Sequence, residues 1–294
     1  MSSEPLQTPI YIISFYPDSE LKYKRRTDHQ RQLQWLIDAG FTDIRVFSQN
    51  YDSADYFKHD SVHYFDIPAK NIAFARNKVL EHYYASDDET AFFADDDIIL
   101  YDHAMGNKVF AEIENWEKDG ELNDIDVASF LNPVFQPFNA EYARGEYDYE
   151  SVLVFRRKPH FPTRFYWMRN LAKVYPGESF WFDETLHHPN VIGGEDNEFF
   201  IHCYTSNLGT YVCWNAVIKE MGGTSIATAN SSTWCPDVED RRDSGRKLRA
   251  HIAEKYSDLG VEHVNGQLRT RKVKNNKPKI VVRPNLHETL DSFF

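Results

Sequence analysis

The chain has 294 residues, 41 % of them apolar and 15 % aromatic, enough to build a sizeable core and to exclude global disorder. Its 33 Lys and Arg stand against 45 Asp and Glu, and the net charge of −12 excludes a generally basic nucleic-acid coat, though not a local patch. The 3 cysteines form no C-x-x-C pair and no apolar run approaches the ~20 residues of a membrane span, so a disulfide framework and a spanning segment are both unexpected. With no signal-peptide core from Met1 to Pro9, the chain reads as a cytoplasmic one with reduced thiols.

In chain order, Ile10 to Phe15 is β-rich and predicts a first strand, and the polar segment Tyr16 to Thr27 reads as a loop. From Asp28 to Ala39, Leu33, Leu36 and Ile37 recur at helical spacing before Gly40 supplies a stop. Ile44 to Phe47 and Ser61 to Phe65 predict two more strands. Asn71 to Tyr84 predicts a helix with Ile72, Ala75, Val79 and Tyr83 on one side. Ala91 to Ala94 is a short strand that runs directly into three aspartates. Strand and helix in alternation imply an α/β fold, a mostly parallel central sheet flanked by helices. In such sheets ligands bind at the carboxyl ends of the strands, which is where Asp95 falls. The second half is less regular. Ile125 to Leu131 and Val152 to Phe155 read as strands, Glu195 to Ser206 as a helix, and Met221 to Thr233 as a long Gly/Ser/Thr-rich loop. From Arg241 to Arg283, 13 basic residues stand against 4 acidic ones, either a solvated helix with a loose tail or an anion-binding section.

Asp95, Asp96 and Asp97, between Phe92-Phe93-Ala94 and Ile98-Ile99-Leu100, repel one another and are costly beside a core. A bound cation removes that cost. In an extended segment Asp95 and Asp97 point one way and Asp96 the other. Two oxygen ligands on one side suit Mg²⁺ or Mn²⁺, which leave further positions to water and a diphosphate. The competing reading is a set of solvated acids before a helix opening near Asp102.

The Phe-Phe-x-Asp-x-Asp block resembles the D-x-D motif of GT-A-fold glycosyltransferases, which bind a nucleotide-sugar diphosphate through a divalent metal. Asn71-Ile72-Ala73-Phe74-Ala75-Arg76-Asn77-Lys78 is similar to the A-R-N helix that precedes D-x-D in many members. By that resemblance the fold is GT-A (Rossmann-like), Asp95 and Asp97 hold Mn²⁺ or Mg²⁺, and UDP-sugar or another nucleoside-diphosphate sugar is the donor. Ser14, Tyr16, Arg76, Asn77, Asp95 and Asp96 would then face the nucleotide or the sugar. A second block, Ile192-Gly193-Gly194-Glu195-Asp196-Asn197-Glu198, pairs glycines that allow close backbone approach with acids that suit a helix start. It resembles the G-G-E-D motif of inverting GT-A transferases, whose acids hold the acceptor and deprotonate its hydroxyl. Carried over, Asp196 is the base, Glu195 an acceptor or sugar contact, and Gly193 and Gly194 line the donor. Relatives often add a metal-binding His further along. Here no His lies between His202 and His251, so the third ligand stays open, as does inversion against retention.

On this reading the single domain divides into a nucleotide-sugar half, residues 1–130, an irregular acceptor and catalytic half, residues 131–240, and a basic C-terminal section, residues 241–294. Residues 151–177 hold Arg156, Arg157, Lys158, Arg164, Arg169 and Lys173 with no acid, interleaved with aromatics that include Trp167. Guanidinium groups for phosphates and flat rings for bases suit a nucleic-acid groove, while aromatics in such a run also suit a core. Arg241, Arg242, Arg246 and Lys247 fit either a second phosphate wall or a loop over the donor diphosphate. Phe165-Tyr166-Trp167-Met168-Arg169-Asn170 and the residues after it are similar to T-even-type phage transferases. That resemblance implies double-stranded DNA carrying hydroxymethylcytosine, or a sugar already attached there, as acceptor. A saccharide, protein or small-molecule acceptor and a non-catalytic nucleic-acid- or sugar-binding module are the alternatives. A sugar nucleotidyltransferase would want a glycine-rich loop after the first strand, where this chain has Ser14-Phe15-Tyr16-Pro17-Asp18.

Overall fold

Four parallel strands carry the framework: β1 (Ile10–Phe15), β2 (Ile44–Gln49), β3 (Val62–Asp66) and β4 (Thr90–Asp95), in the spatial order β3-β2-β1-β4. In this computed structural model the described residues are 5–16, 21–100, 108–131, 152–157, 164–186, 195–220, 238–265, 267–270 and 279–282. Ile10 lies opposite Ile44 on one side and Phe92 on the other, so the carboxyl ends of the strands emerge along one edge. Helices α1 (Leu21–Asp38) and α2 (Ile72–Ala85) follow β1 and β3. Asn71 caps α2 by accepting from the Phe74 amide at 2.7 Å, and Gly40 ends α1 in a left-handed turn.

The chain continues through β5 (Ile98–Leu100), α3 (Lys108–Lys118), β6 (Val127–Leu131), β7 (Val152–Arg157), β8 (Phe165–Arg169) and the one-turn helix α4 (Leu171–Val174). Then come α5 (Glu195–Thr205), β9 (Thr210–Glu220), α6 (Val238–Lys255), β10 (Val261–Val264), β11 (Gln267–Thr270) and β12 (Lys279–Val282). The full sheet reads β12-β7-β9-β6-β8-β4-β1-β2-β3, with β5 paired to β9. β8 runs against both β4 and β6, while β6 and β9 run together, so most strands share the direction of β1 to β4. Among the described residues no helix is long and apolar enough to cross a membrane.

Strand alternation sorts the core into two layers. Ile10, Ile12, Phe92, Ala94, Phe165 and Trp167 face α1 and α3 and pack on Leu33, Leu36, Phe110 and Trp116. Tyr11, Ala91, Phe93, Tyr166 and Met168 face α2 and α5, against Val79, Leu80, Tyr83, Phe199 and Phe200. Strands buried on both faces read as continuous apolar runs, which is why β4 and β8 are so rich in aromatics. A third cluster seats Leu248 and Ile252 of α6 on Ile201 of α5, with the β10–β11 hairpin beside them.

Three expectations change. The segment read as a loop up to Thr27 is helical from Leu21, because inward-facing polar groups of α1 find charged partners that the sequence does not announce. The run Phe165–Arg169 is a strand inside the sheet. The C-terminal section is more than a helix and a tail, since it supplies a hairpin and β12, paired antiparallel with β7. Asp102 and the loop expected at 221–233 lie outside the described residues. Cys203 and Cys213 are both buried.

Candidate active site at the carboxyl edge of the sheet

β4 delivers Asp95 to the edge, and Asp96 and Asp97 form the turn into β5. Gln32 of α1 fastens this turn from behind, its Nε2 donating to the carbonyls of Asp95 and Ile98, both at 2.6 Å. Asp96 points inward, accepting from Ser14 Oγ at 2.6 Å and from Arg25 Nη2 of α1 at 2.6 Å. Asp95 and Asp97 meet a different cation, although Asp96 and Asp97 lie in a turn and not in the extended segment expected. Arg164, one residue before β8, bridges them, with Nε 3.2 Å from Asp95 Oδ2 and Nη2 3.1 Å from Asp97 Oδ1. The Arg164 carbonyl also accepts from the Asp95 amide at 2.9 Å.

Arg76 is the second cation of the site. Its place on α2 turns it into the protein, with a 7 % exposed side chain. Nη1 lies 2.6 Å from Glu195 Oε1 and Nη2 lies 3.4 Å from Asp95 Oδ1, while the guanidinium sits over the Phe182 ring. One buried arginine thus joins the first aspartate of the D-x-D block to the glutamate of the G-G-E-D block. Burial works against its charge, and Glu195, Asp95 and Asp196 outweigh that, holding its pKa above the ordinary guanidinium value. Burial pushes the Glu195 carboxyl up, Arg76 pulls it back, and neighbouring Asp196 adds to the rise. Arg25 is held above its ordinary value chiefly by Asp96. Asp196, half-buried in the first turn of α5, accepts from the Asn197 amide at 2.7 Å.

Other expected site residues fall elsewhere. Asn77 faces away from the acids: its Nδ2 donates to the Phe182 carbonyl at 2.9 Å and to Glu184 at 3.0 Å, and its Oδ1 accepts from the Phe182 amide at 2.8 Å. It clamps the 182–184 segment rather than offering itself to a donor. Ser14 is spent on Asp96 and also accepts from Tyr51 at 2.6 Å. Tyr16 is fully buried and stacked on Tyr51, so both support the aspartates from behind. Of the run expected to meet nucleic acid, Arg164 belongs to the acids and Trp167 to the core, 1 % exposed. Arg169 donates to the Asn123 carbonyl at 3.2 Å. The side chains of Arg156 and Arg157 on β7, those of Arg241 and Arg242 on α6, and Lys158, Gly193 and Gly194 lie outside the described residues. Arg246 and Lys247 are exposed on α6, Lys247 at 2.8 Å from Asp243, and His251 is exposed on the same helix.

Sequence reasoning missed Arg25, Gln32 and Tyr51. The signal for the first two was present: Arg25, His29, Gln32 and Leu36 follow one helical stripe, and a polar residue on an otherwise buried stripe needs a partner. Among the described residues no group of three or more His, Cys, Asp or Glu could by itself hold a metal ion. The donor set nevertheless suits one: two partly exposed carboxylates already converge on a single cationic group. Hard oxygen ligands of this kind fit Mg²⁺ or Mn²⁺, which keep several waters.

The chain matches no family model and no curated protein sequence. Among solved structures it is similar to GalNAc-T7 with UDP, GalNAc and Mn²⁺, at 10 % identity and a TM-score of 0.50, over 86 % of this chain and 49 % of that one. The chain therefore spans about half the length of that protein. It is also similar to HddC from Yersinia pseudotuberculosis, with 11 % identity, a TM-score of 0.38, and 74 % and 94 % of the two chains covered. For the galactosyltransferase LgtC in complex with donor and acceptor sugar analogues the values are 12 %, 0.32, and 55 % and 58 %. At these identities the likeness is one of fold, and the fold is the GT-A, Rossmann-like arrangement.

Proposed function

We propose that the chain is a glycosyltransferase that moves a sugar from a nucleoside-diphosphate sugar to a hydroxyl acceptor. The observation that carries this reading is the meeting of Asp95, Asp97, Arg164, Arg76, Glu195 and Asp196 at the carboxyl edge of a parallel sheet. Paired carboxylates with arginines beside them at that edge suit a metal-bound diphosphate, and a second acidic pair nearby suits a hydroxyl. The likeness to GalNAc-T7, whose structure contains UDP, GalNAc and Mn²⁺, lends support at the level of fold.

In this proposal Asp95 and Asp97 hold Mn²⁺ or Mg²⁺, which supplies charge neutralisation for a leaving nucleoside diphosphate. Asp196 takes the proton of the acceptor hydroxyl as its oxygen bonds to the anomeric carbon. The bond from that carbon to the diphosphate oxygen breaks, and its electron pair leaves with the nucleotide. Positive charge gathers on the sugar ring on the way, as in other glycosyl transfers. Glu195 orients the sugar or acceptor, and Arg76 keeps Glu195 and Asp95 in place without itself meeting substrate. Arg25 and Gln32 hold the Asp96–Asp97 turn.

The acceptor we favour is hydroxymethylated or already glycosylated DNA. Its support now comes from the sequence positions of Arg156, Arg157 and Lys158 and from Arg246 and Lys247, exposed on α6, since Arg164 and Trp167 are engaged elsewhere. The test is nucleoside mass spectrometry on plain, hydroxymethylated and glucosylated hydroxymethylated DNA incubated with the protein, Mn²⁺ and pooled nucleotide sugars. A pentose or hexose gain on one modified DNA is expected. Donor hydrolysis without DNA gain, abolished by Asp97→Ala, moves the acceptor to a saccharide, protein or small molecule. No donor turnover under any condition overturns the transferase reading.

A further inference from the structure

Three guanidinium groups meet the acids of the Asp95-Asp96-Asp97 turn, and they arrive from α1, α2 and the residue before β8. Arg25 of α1 holds Asp96 at 2.6 Å, and that carboxylate is nearly sealed, with a 4 % exposed side chain. Arg76 of α2 reaches Asp95 while locked to Glu195 at 2.6 Å. Arg164 differs from both. It spans two acids of the turn, Asp95 at 3.2 Å and Asp97 at 3.1 Å, and here the guanidinium and both carboxylates are all partly open to solvent, at 24, 18 and 16 % exposure. Its backbone is fixed, since its carbonyl accepts from the Asp95 amide, so a side chain that let go would stay within reach of the same edge.

Two carboxylates cannot keep a guanidinium between them and also bind a divalent cation at that point, because the two positive charges would repel. Loss of the guanidinium would in turn leave the acids uncompensated unless another cation took its place. We infer that Arg164 is an exchangeable counter-ion: it holds Asp95 and Asp97 while no divalent cation is bound, and on exchange it turns to the diphosphate of the nucleotide donor. This rests on the metal-dependent transferase reading above and names the residue that couples cation binding to donor binding. The linkage is reciprocal: what weakens Arg164 on the acids strengthens the cation, and what removes its charge weakens the nucleotide.

The test uses the full chain without sugar donor. Mn²⁺ affinity is read from the electron paramagnetic resonance signal of free Mn²⁺, and UDP affinity from calorimetry at saturating Mn²⁺, for wild type, Arg164→Gln, Arg164→Lys and Asp97→Asn. Arg164→Gln is expected to bind Mn²⁺ roughly tenfold more tightly and UDP roughly tenfold more weakly, within the usual range of coupling between sites. Arg164→Lys, the milder change should the first disturb folding, is expected to shift both affinities in the same two directions by less. Near-ultraviolet circular dichroism checks that each variant is folded. A purely structural arginine would weaken both affinities together, and that result overturns the exchange. Unchanged Mn²⁺ binding in both Arg164 variants, with binding lost in Asp97→Asn, also overturns it while leaving the metal site in place. No Mn²⁺ binding by any variant removes the metal site and this inference with it.

Discussion

The two ends of the same parallel strands each carry an arginine–aspartate cluster, and they are built for different ends. At the amino end Arg45 of β2 meets Asp43 at 2.5 Å and Asp88 at 2.6 Å. Tyr11 donates to Asp88 at 3.0 Å, and Ser86 donates to it at 2.8 Å. The partners are near neighbours on β1, β2 and the approach to β4, and the extra hydroxyls leave little for a ligand to gain. At the carboxyl end the acids draw their cations from α1, α2 and the start of β8, and two of those acids share one arginine. The first cluster is a fastening. The second concentrates charge that must be held by side chains from afar, the usual mark of a site whose partners change.

The contrast can be broken by substitution. The largest effect is expected on turnover: Asp97→Asn should lower nucleotide release from the donor by about a hundredfold or more, with the melting temperature nearly unchanged. An equal rate would mean that the carboxyl-edge acids are as structural as Asp88. On stability the largest effect belongs to Arg76→Ala, which strands Glu195 and Asp95 without their buried cation. Urea unfolding should show a loss of about 3–5 kcal/mol. Asp88→Asn should cost about 1 kcal/mol at neutral pH, kept small because the pair is partly open to solvent, and should leave turnover intact.

The two ends should also answer pH with opposite signs. Asp88 is buried enough to oppose its charge, yet Ser86, Arg45 and Tyr11 hold its carboxyl below the ordinary range. Its contribution is present above the ordinary carboxylate range and is lost as pH falls through the lowered value. Glu195 is raised, so its contribution is complete below the ordinary range and is lost as pH rises toward the raised value. In stability measured across pH 3 to 8, Asp88→Asn should flatten the acid limb and Glu195→Gln the decline above it, relative to wild type. The smallest effect is expected from Lys247→Ala on the exposed face of α6, with no measurable change in melting temperature.

Much of the amino-terminal half was legible because β1 and β4 are buried on both sides and read as apolar runs. Ile10–Phe15 is found as expected, β2, β3 and β4 fall within a residue or two of their expected bounds, and Asn71 caps α2 where the pattern placed the helix. Alternation suggested a split of Asp95 and Asp97 from Asp96; the two sets do meet different arginines, but Asp96 and Asp97 lie in a turn and not in an extended segment. The first turns of α1 were not, because Lys22, Arg25 and Arg26 look like a solvated loop until Asp55 and Asp96 are brought to them. Phe165-Tyr166-Trp167-Met168-Arg169 resisted for the reverse reason. An acid-free run of aromatics and cations has the composition of a nucleic-acid groove. Only the neighbours β4 and β6 make it an interior strand, with Phe165 and Trp167 on one face and Tyr166 and Met168 on the other. Arg76 and Asn77 were singled out for a motif they share, and separate, since adjacent residues on a helix point about 100° apart.

The place of β8 beside β4 also sets a timetable for synthesis. When Asp95 leaves the ribosome, β1 can already pair with β4, but the other side of β4, with Phe92 and Phe93 in it, has no partner until Arg169 has left it too. At about 5–20 residues per second that wait is roughly 4–15 s. During it the nascent chain displays an apolar, hydrogen-bond-hungry edge of the kind that recruits other chains. A fragment ending near residue 130 would keep that edge for good. Its yield as soluble protein, compared with that of the whole chain, would measure how much one late strand protects an early one.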